Sequence, residues 1–217
     1  MIHFAIFDID GTLLDTSPMW AGLGERFLCS RGITPRGGLS DRLLRLSLEE
    51  GAELLRREYL QNETAAYILN SLKCIIDDFY RYEAAAKRGA PELLQALSER
   101  GISMSLATGG DKDLSRAALE RLGLMRYFKG LASCGEYGGK HSPAVFLAAA
   151  RIAGGTAAET LVFEDSLHAA QTAKRAGFKV AAVRDIGEPR QEELRAVADH
   201  YADDLTEYAE IIDKLIK

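Results

Sequence analysis

After Glu83 the chain alternates between short apolar runs and segments of helical periodicity, and this alternation restricts the fold more than any other feature. "APELLQALSERG" reads as a helix, with Pro91 near its start and Gly101 just past its end. "ISMSLAT" is a strand and "DKDLSRAALERLG" a helix capped by Asp111. "GLASC" is a short strand, and "SPAVFLAAARIAG" a helix with Ser142 as cap and Pro143 at the first position. "TLVFED", "SLHAAQTAKRAG" and "FKVAAV" continue as strand, helix and strand, and the residues from about 190 onward read as mostly helical. Apolar strands separated by helices specify a parallel sheet covered on both faces. One more strand, "MIHFAIF", stands at the N-terminus and ends at Asp8.

The segment between that first strand and the alternating region has a different texture. "LGERFLCSRG", "LSDRLLRLSLEEGAELLRREYL" and "TAAYILNSLKCIIDDFYRYE" each repeat at helical spacing, and "GITPRGG" breaks the first run from the second. No strand-like run interrupts them. The expected organisation is an α/β core from residues 1–15 and 84–217, split by an all-helical insertion over residues 16–83.

Composition excludes several classes of function. The chain has 217 residues, 47% hydrophobic and 27% charged, enough to bury a sizeable core. A net charge of -5 does not favour a nucleic acid polymer as partner, so an anionic substrate requires locally placed positive charge. No apolar run approaches the roughly 18 residues of a membrane-spanning helix. The N-terminus lacks the basic region and small-residue cleavage site of a secretory leader. The expectation is a cytoplasmic protein with no membrane partner. Cys29, Cys74 and Cys134 are too scattered for a disulfide framework or a zinc site, and read as buried free thiols.

In open α/β sheets, ligands bind outside the carboxyl ends of the strands. Asp8 and Asp10 follow the first strand, Thr108 and Gly109 follow "SLA", Lys140 opens the helix after "GLASC", and Glu164 with Asp165 ends "LVF". Acids, a hydroxyl and one lysine therefore converge on one rim. Clustered carboxylates call for a hard cation, and Mg²⁺ suits a few oxygen ligands plus retained water. Other motif readings fail. An EF-hand aligned on Gly11 places Ile6 and Ser17 at ligand positions. "GEYGGKH" has His141 where a phosphate-binding loop needs Ser or Thr, and "GLGERF" lacks the last glycine of a dinucleotide fingerprint.

"DIDGT" at Asp8 to Thr12, Thr108, Lys140 with Pro143, and "EDS" at Glu164 to Ser166 resemble the four motifs of the haloacid dehalogenase (HAD) superfamily. The resemblance covers essentially the whole chain, and "FEDSLHAAQTAKRAGFKVAAV" is similar to the region of the fourth motif. It implies a Rossmann-like three-layer parallel sheet core with an inserted all-helical cap domain. The place of the insertion resembles the phosphoglycolate phosphatase and β-phosphoglucomutase branch. Asp8 is then the nucleophile that forms an aspartyl-phosphate, and Asp10 the general acid and base. Mg²⁺ is held by Asp8, the Asp10 carbonyl and Asp165, with Glu164 in support. Thr108, Gly109 and Lys140 bind the phosphate. Dehalogenase members lack the second aspartate, so Asp10 points to phosphate esters.

The implied partner is a small phosphorylated metabolite, with the protein a monomer or weak homodimer. The alternative is a phosphomutase of the β-phosphoglucomutase type, but Trp20 stands where such enzymes carry a histidine. A phosphonate hydrolase needs a Schiff-base lysine from the insertion, which holds only Lys73. Two departures from the family pattern are Ala169, where glycine is usual, and Ala144, where an aspartate is usual. Arg42 and Arg45 stand three apart on one helix face, where one could reach a polar substrate, but either one singly reads as an arginine on a solvated face, and specificity is expected from the insertion as a whole.

Overall fold

In a computed structural model of the chain, residues 1–138 and 142–217 are described. The chain forms two compact units, one of Met1–Asp15 with Ala85–Lys217 and one of Thr16–Ala84.

The first unit opens with strand β1 (Phe4–Phe7). The second unit follows, all helical: α1 (Ser17–Cys29), α2 (Leu39–Leu43), α3 (Leu48–Tyr59) and α4 (Ala65–Asp78), the last running into a π-type turn at Phe79–Glu83. Its core is a seam of Leu23, Phe27, Leu28, Leu39, Leu55, Ile68, Leu72 and Ile76, at the three- and four-residue spacings of helices packed on helices. The run expected as one helix from "LSDRLL" to "REYL" is in fact two. Ser47 ends the break: its hydroxyl accepts the Glu50 N–H while the Glu50 carboxylate accepts the Ser47 N–H, a complete capping box. Two local donors satisfied in this way outweigh continuation of the apolar period through Leu46.

The first unit resumes with α5 (Ala90–Glu99), β2 (Ser103–Thr108), α6 (Lys112–Arg121), β3 (Phe128–Ser133) and the short α7 (Cys134–Tyr137). It continues with α8 (Ala144–Ala153), β4 (Thr160–Glu164), α9 (Leu167–Arg175), β5 (Lys179–Val183), α10 (Gln191–Val197), β6 (His200–Ala202), α11 (Leu205–Glu210) and α12 (Ile212–Leu215). The six strands are parallel, in the order β3-β2-β1-β4-β5-β6. The expected parallel sheet covered on both faces is therefore what forms. The C-terminal stretch is mostly helical, as expected, and β6 is one short strand within it that the sequence did not show. Its three residues are too few to show an alternation, and they are held as a strand by pairing with Ala181–Val183.

Strand side chains alternate between faces. Ile6 and Val162 face a cluster that includes Phe146 and Ala149 of α8, Ala169 and Ala173 of α9, and Leu194 of α10. Phe7 and Phe163, register partners on the other face, stack at 4.2 Å, and Tyr208 of α11 meets Phe163 edge-on at 5.5 Å. The serines of β2 point at α8, where Ser103 and Ser105 donate to the carbonyls of Ala153 and Ala149, both at 2.7 Å. Polar side chains in a buried strand are thereby satisfied by the helix that covers them. Of the three cysteines, only Cys134 is buried; Cys29 and Cys74 are exposed, contrary to the reading of all three as core thiols. Small apolar-looking residues on amphipathic helices fall on either face, and residue type alone does not choose.

Candidate active site

The strand order reverses at β1, with β2 on one side and β4 on the other, although β4 comes much later in the chain. Such a switch point opens a crevice at the carboxyl ends of the strands. Asp8 is the first residue beyond β1 there, its N–H donating to the Phe163 carbonyl at 3.0 Å. Glu164 ends β4 and Asp165 follows it. All three carboxylates are buried, and each offers an oxygen within 4.8 Å of the others, the metal-competent acidic cluster of the described residues.

A tight turn carries the chain past the cluster. The N–H groups of Leu13 and Leu14 both donate to the Ile9 carbonyl, at 2.9 and 2.8 Å, and Gly11 N–H donates to the Leu14 carbonyl at 2.9 Å. Gly11 has φ 82°, and a Cβ there would stand 2.4 Å from Asp165 Oδ2. Only glycine meets both demands. Thr12, fully buried, donates its hydroxyl to Asp165 Oδ1 at 2.8 Å. Gly11 and Thr12 thus orient Asp165, a task that "DxDGT" carries in its last two letters and that their residue types alone do not reveal.

Asp10 differs from Asp8 in its surroundings. It is half-buried, and its carboxylate lies against the turn between β2 and α6: a Cβ on Gly110 would be 2.8 Å from Asp10 Oδ2 and 3.4 Å from Thr108 Oγ1. Thr108 is fully buried and accepts the Gly110 N–H at 3.0 Å, while Gly109 is exposed. α6 is capped as expected, with Asp111 Oδ1 accepting the N–H groups of Asp113 and Leu114 at 2.9 and 3.0 Å. Lys140 lies outside the described residues. The helix it was expected to open begins at Ala144, whose N–H donates to the Ser142 hydroxyl at 3.2 Å.

Two acids of the loop after β5 escaped the sequence reading. Glu188, 7% exposed, accepts the Leu167 N–H at 2.9 Å and so caps the first turn of α9, beside the Ser166 cap. Burial pushes the Glu188 carboxyl up, but hydrogen bonds from the Arg190 guanidinium, the Arg190 N–H and the Leu167 N–H outweigh it, and its pKa lies below the ordinary value. Asp185, also buried, is paired with Lys87 at 2.5 Å. Neither acid follows a strand directly, so neither carried a signal.

In the helical unit, Arg42 is spent on an ion pair with Glu58 at 2.5 Å, which holds the Glu58 carboxyl down at about 2. Arg45 is exposed, and so is Lys73, far from the buried setting that a Schiff-base amine needs. Trp20 donates its indole N–H to the Tyr80 hydroxyl at 3.3 Å.

The fold is a doubly wound parallel α/β sheet with a cluster of buried carboxylates at its switch point. The family model for haloacid dehalogenase-like hydrolases matches residues 2–177. The chain belongs to that family and is a hydrolase. It is 28% identical over 223 residues to a phosphoglycolate phosphatase of Mesorhizobium japonicum, covering 98% of this chain and 96% of that one. A phosphoglycolate phosphatase of Agrobacterium fabrum is 29% identical over 191 residues, covering 84% of this chain and 78% of that one. Among solved structures, a putative β-phosphoglucomutase from Thermotoga maritima superposes with a TM-score of 0.81 over 99% of this chain and 100% of that one, at 23% identity. At that identity the likeness speaks for the fold.

Proposed function

We propose that the protein is a Mg²⁺-dependent phosphatase that hydrolyses a small phosphate monoester through an aspartyl-phosphate on Asp8. The observation that carries this reading is the pairing of two unlike aspartates. Asp8 is buried among Glu164 and Asp165, whereas Asp10, two residues on, lies beside Thr108 and Gly110. Two unit charges about 4 Å apart repel by roughly 4 kcal/mol at an effective dielectric of 20. Three buried carboxylates with oxygens that close fit a hard divalent cation with oxygen ligands. Asp8, the Asp10 carbonyl and Asp165 would hold Mg²⁺, with Glu164 in support. The cation supplies charge neutralisation that lets an anionic nucleophile meet an anionic phosphate.

The chain's own residues supply the rest of the reaction. An Asp8 carboxylate oxygen attacks phosphorus, and the P–O bond to the leaving alcohol breaks. Asp10 gives its proton to the departing oxygen. It then takes a proton from the water that attacks the phosphoryl group, releasing inorganic phosphate and restoring Asp8. Thr108, the N–H groups near Gly109, and Lys140 hold the phosphoryl oxygens in this reading. The helical unit, residues 16–83, is the proposed source of substrate specificity, since the rim chemistry recognises only a phosphate. The relatives named as phosphoglycolate phosphatases make phosphoglycolate the first ester to try. They also favour hydrolysis over phosphoryl return to a sugar.

The experiment is a panel of phosphate monoesters, phosphoglycolate and sugar phosphates included, assayed with purified protein and Mg²⁺. A rapid acid quench followed by mass spectrometry reads the phosphoenzyme. Release of inorganic phosphate with a phosphorylated peptide containing Asp8 is expected. Turnover with the label on any other residue would refute the nucleophile assignment.

A further inference from the structure

We infer that Gly110 and Ser115 are positioning residues for the Asp10 carboxylate; the inference rests on the acid–base role proposed for Asp10. Gly110 does not owe its identity to backbone strain, because it is not among the positive-φ glycines of the chain. An alanine can take its conformation. What it cannot take is the space. The alanine Cβ would come within 2.8 Å of Asp10 Oδ2, a separation that real Cβ atoms essentially never show. The atom that must yield is the tip of the Asp10 side chain, since the glycine itself is tied through its N–H to Thr108 Oγ1. The missing side chain at position 110 is therefore what lets this carboxylate rest against the β2–α6 turn.

Ser115 supplies the second, independent observation. It lies in the first turns of α6, fully buried, and its hydroxyl makes no hydrogen bond among the described residues. A buried hydroxyl without a partner is rare in folded proteins and calls for an explanation. Its oxygen is 3.8 Å from the vacant Cβ position of Gly110, so it shares that small space with Asp10 Oδ2 and Thr108 Oγ1. A donor held ready on one side and the space left by the missing side chain at position 110 on the other account for both residues at once. The Ser115 hydroxyl steadies the Asp10 carboxylate, through a small rotation or one water, as it gives and regains its proton. Neither residue touches the substrate in this account; both act through Asp10.

A double-mutant cycle tests it, run with p-nitrophenyl phosphate and with an alkyl phosphate. Gly110→Ala, Ser115→Ala and Asp10→Asn are made singly, and the first two also in the Asp10→Asn background. Circular dichroism and thermal unfolding verify the fold of each. Gly110→Ala is expected to lower kcat for the alkyl ester by about tenfold or more, with KM changed less than about threefold and a smaller loss for the aryl ester, whose leaving group needs little protonation. Ser115→Ala is expected to lower kcat by roughly threefold to tenfold in the same pattern. In the Asp10→Asn background each is expected to cost less than about twofold, because residues acting through one group are not additive. A folded Gly110→Ala protein with parental kcat overturns the inference, as does an equal loss with and without Asp10. If Asp10→Asn itself turns over like the parent, the acid–base reading falls and this inference with it. A crippled Asp10→Asn beside an unaffected Gly110→Ala removes the inference alone.

Discussion

Asp8 and Asp10 are two residues apart and have the same side chain, yet the sheet edge gives them different settings. The buried member of the pair, 1% exposed, is the one beside Glu164 and Asp165. Asp8→Asn is expected to lower kcat by about 10⁴-fold or more, since an amide does not attack phosphorus; activity within tenfold of the parent refutes its role as nucleophile. Asp10→Asn is expected to lose roughly 10²–10⁴-fold for ordinary esters. With an activated ester its phosphoenzyme should build up, visible after rapid quench, because the second step still lacks its base. Asp165 is oriented by Thr12 and given room by Gly11, where a Cβ would clash with it. Asp165→Ala is expected to raise the Mg²⁺ needed for half-maximal rate well before it changes KM for substrate at saturating metal, and chelation with EDTA should silence the parent reversibly. Full activity in chelator would end the metal reading.

At the level of elements, local hydrogen bonds decide where helices start. The Ser47–Glu50 box begins α3 where periodicity alone runs on, and "SLEE" is its visible signature. Ser47→Ala is expected to destabilise the protein by about 1 kcal/mol, read by denaturant unfolding at constant m-value. The start of α9 is held by its local Ser166 cap and also by a long-range acid, Glu188, whose folded-state pKa lies below the ordinary 4.5. A depressed carboxylate contributes stability that is present above its unfolded pKa and lost as pH falls through the folded one. The stability gap between the parent and Glu188→Gln should therefore be widest near neutral pH and narrow below pH 4.5. A gap independent of pH would show that Glu188 acts by packing and not by charge.

For the whole molecule, the helical unit enters and leaves the α/β unit at neighbouring points: the Asp15 N–H donates to the Ala85 carbonyl at 2.9 Å, and Leu14 pairs with Ala86. A short linker can therefore close the α/β unit without strain. Replacing residues 17–82 by a flexible linker is expected to leave a folded core that still hydrolyses p-nitrophenyl phosphate. Its kcat/KM for the best small substrate should fall by about tenfold or more, the outcome that the specificity role proposed for the helical unit requires. An unchanged ranking of substrates in the folded, shortened protein would place selectivity in the α/β unit.

The chain's own pattern determined the parallel sheet, the helical insertion and the acids at the strand ends. Each of these depends on local spacing: a period of two or of 3.6, a break, a charge just past an apolar run. Tertiary structure decided the strand order, which puts β4 beside β1, and the capture of His200–Ala202 as a sixth strand by β5. It decided that Thr12 meets Asp165, 153 residues away, that Glu188 caps α9, and that two cysteines face outward. It also brought Gly110 of the β2–α6 turn against Asp10, so that a Cβ there would stand 2.8 Å from Asp10 Oδ2. Periodicity records which way a side chain points relative to its own neighbours. Which distant residue it then meets is settled by the order and register of the sheet, and no window along the chain contains that information.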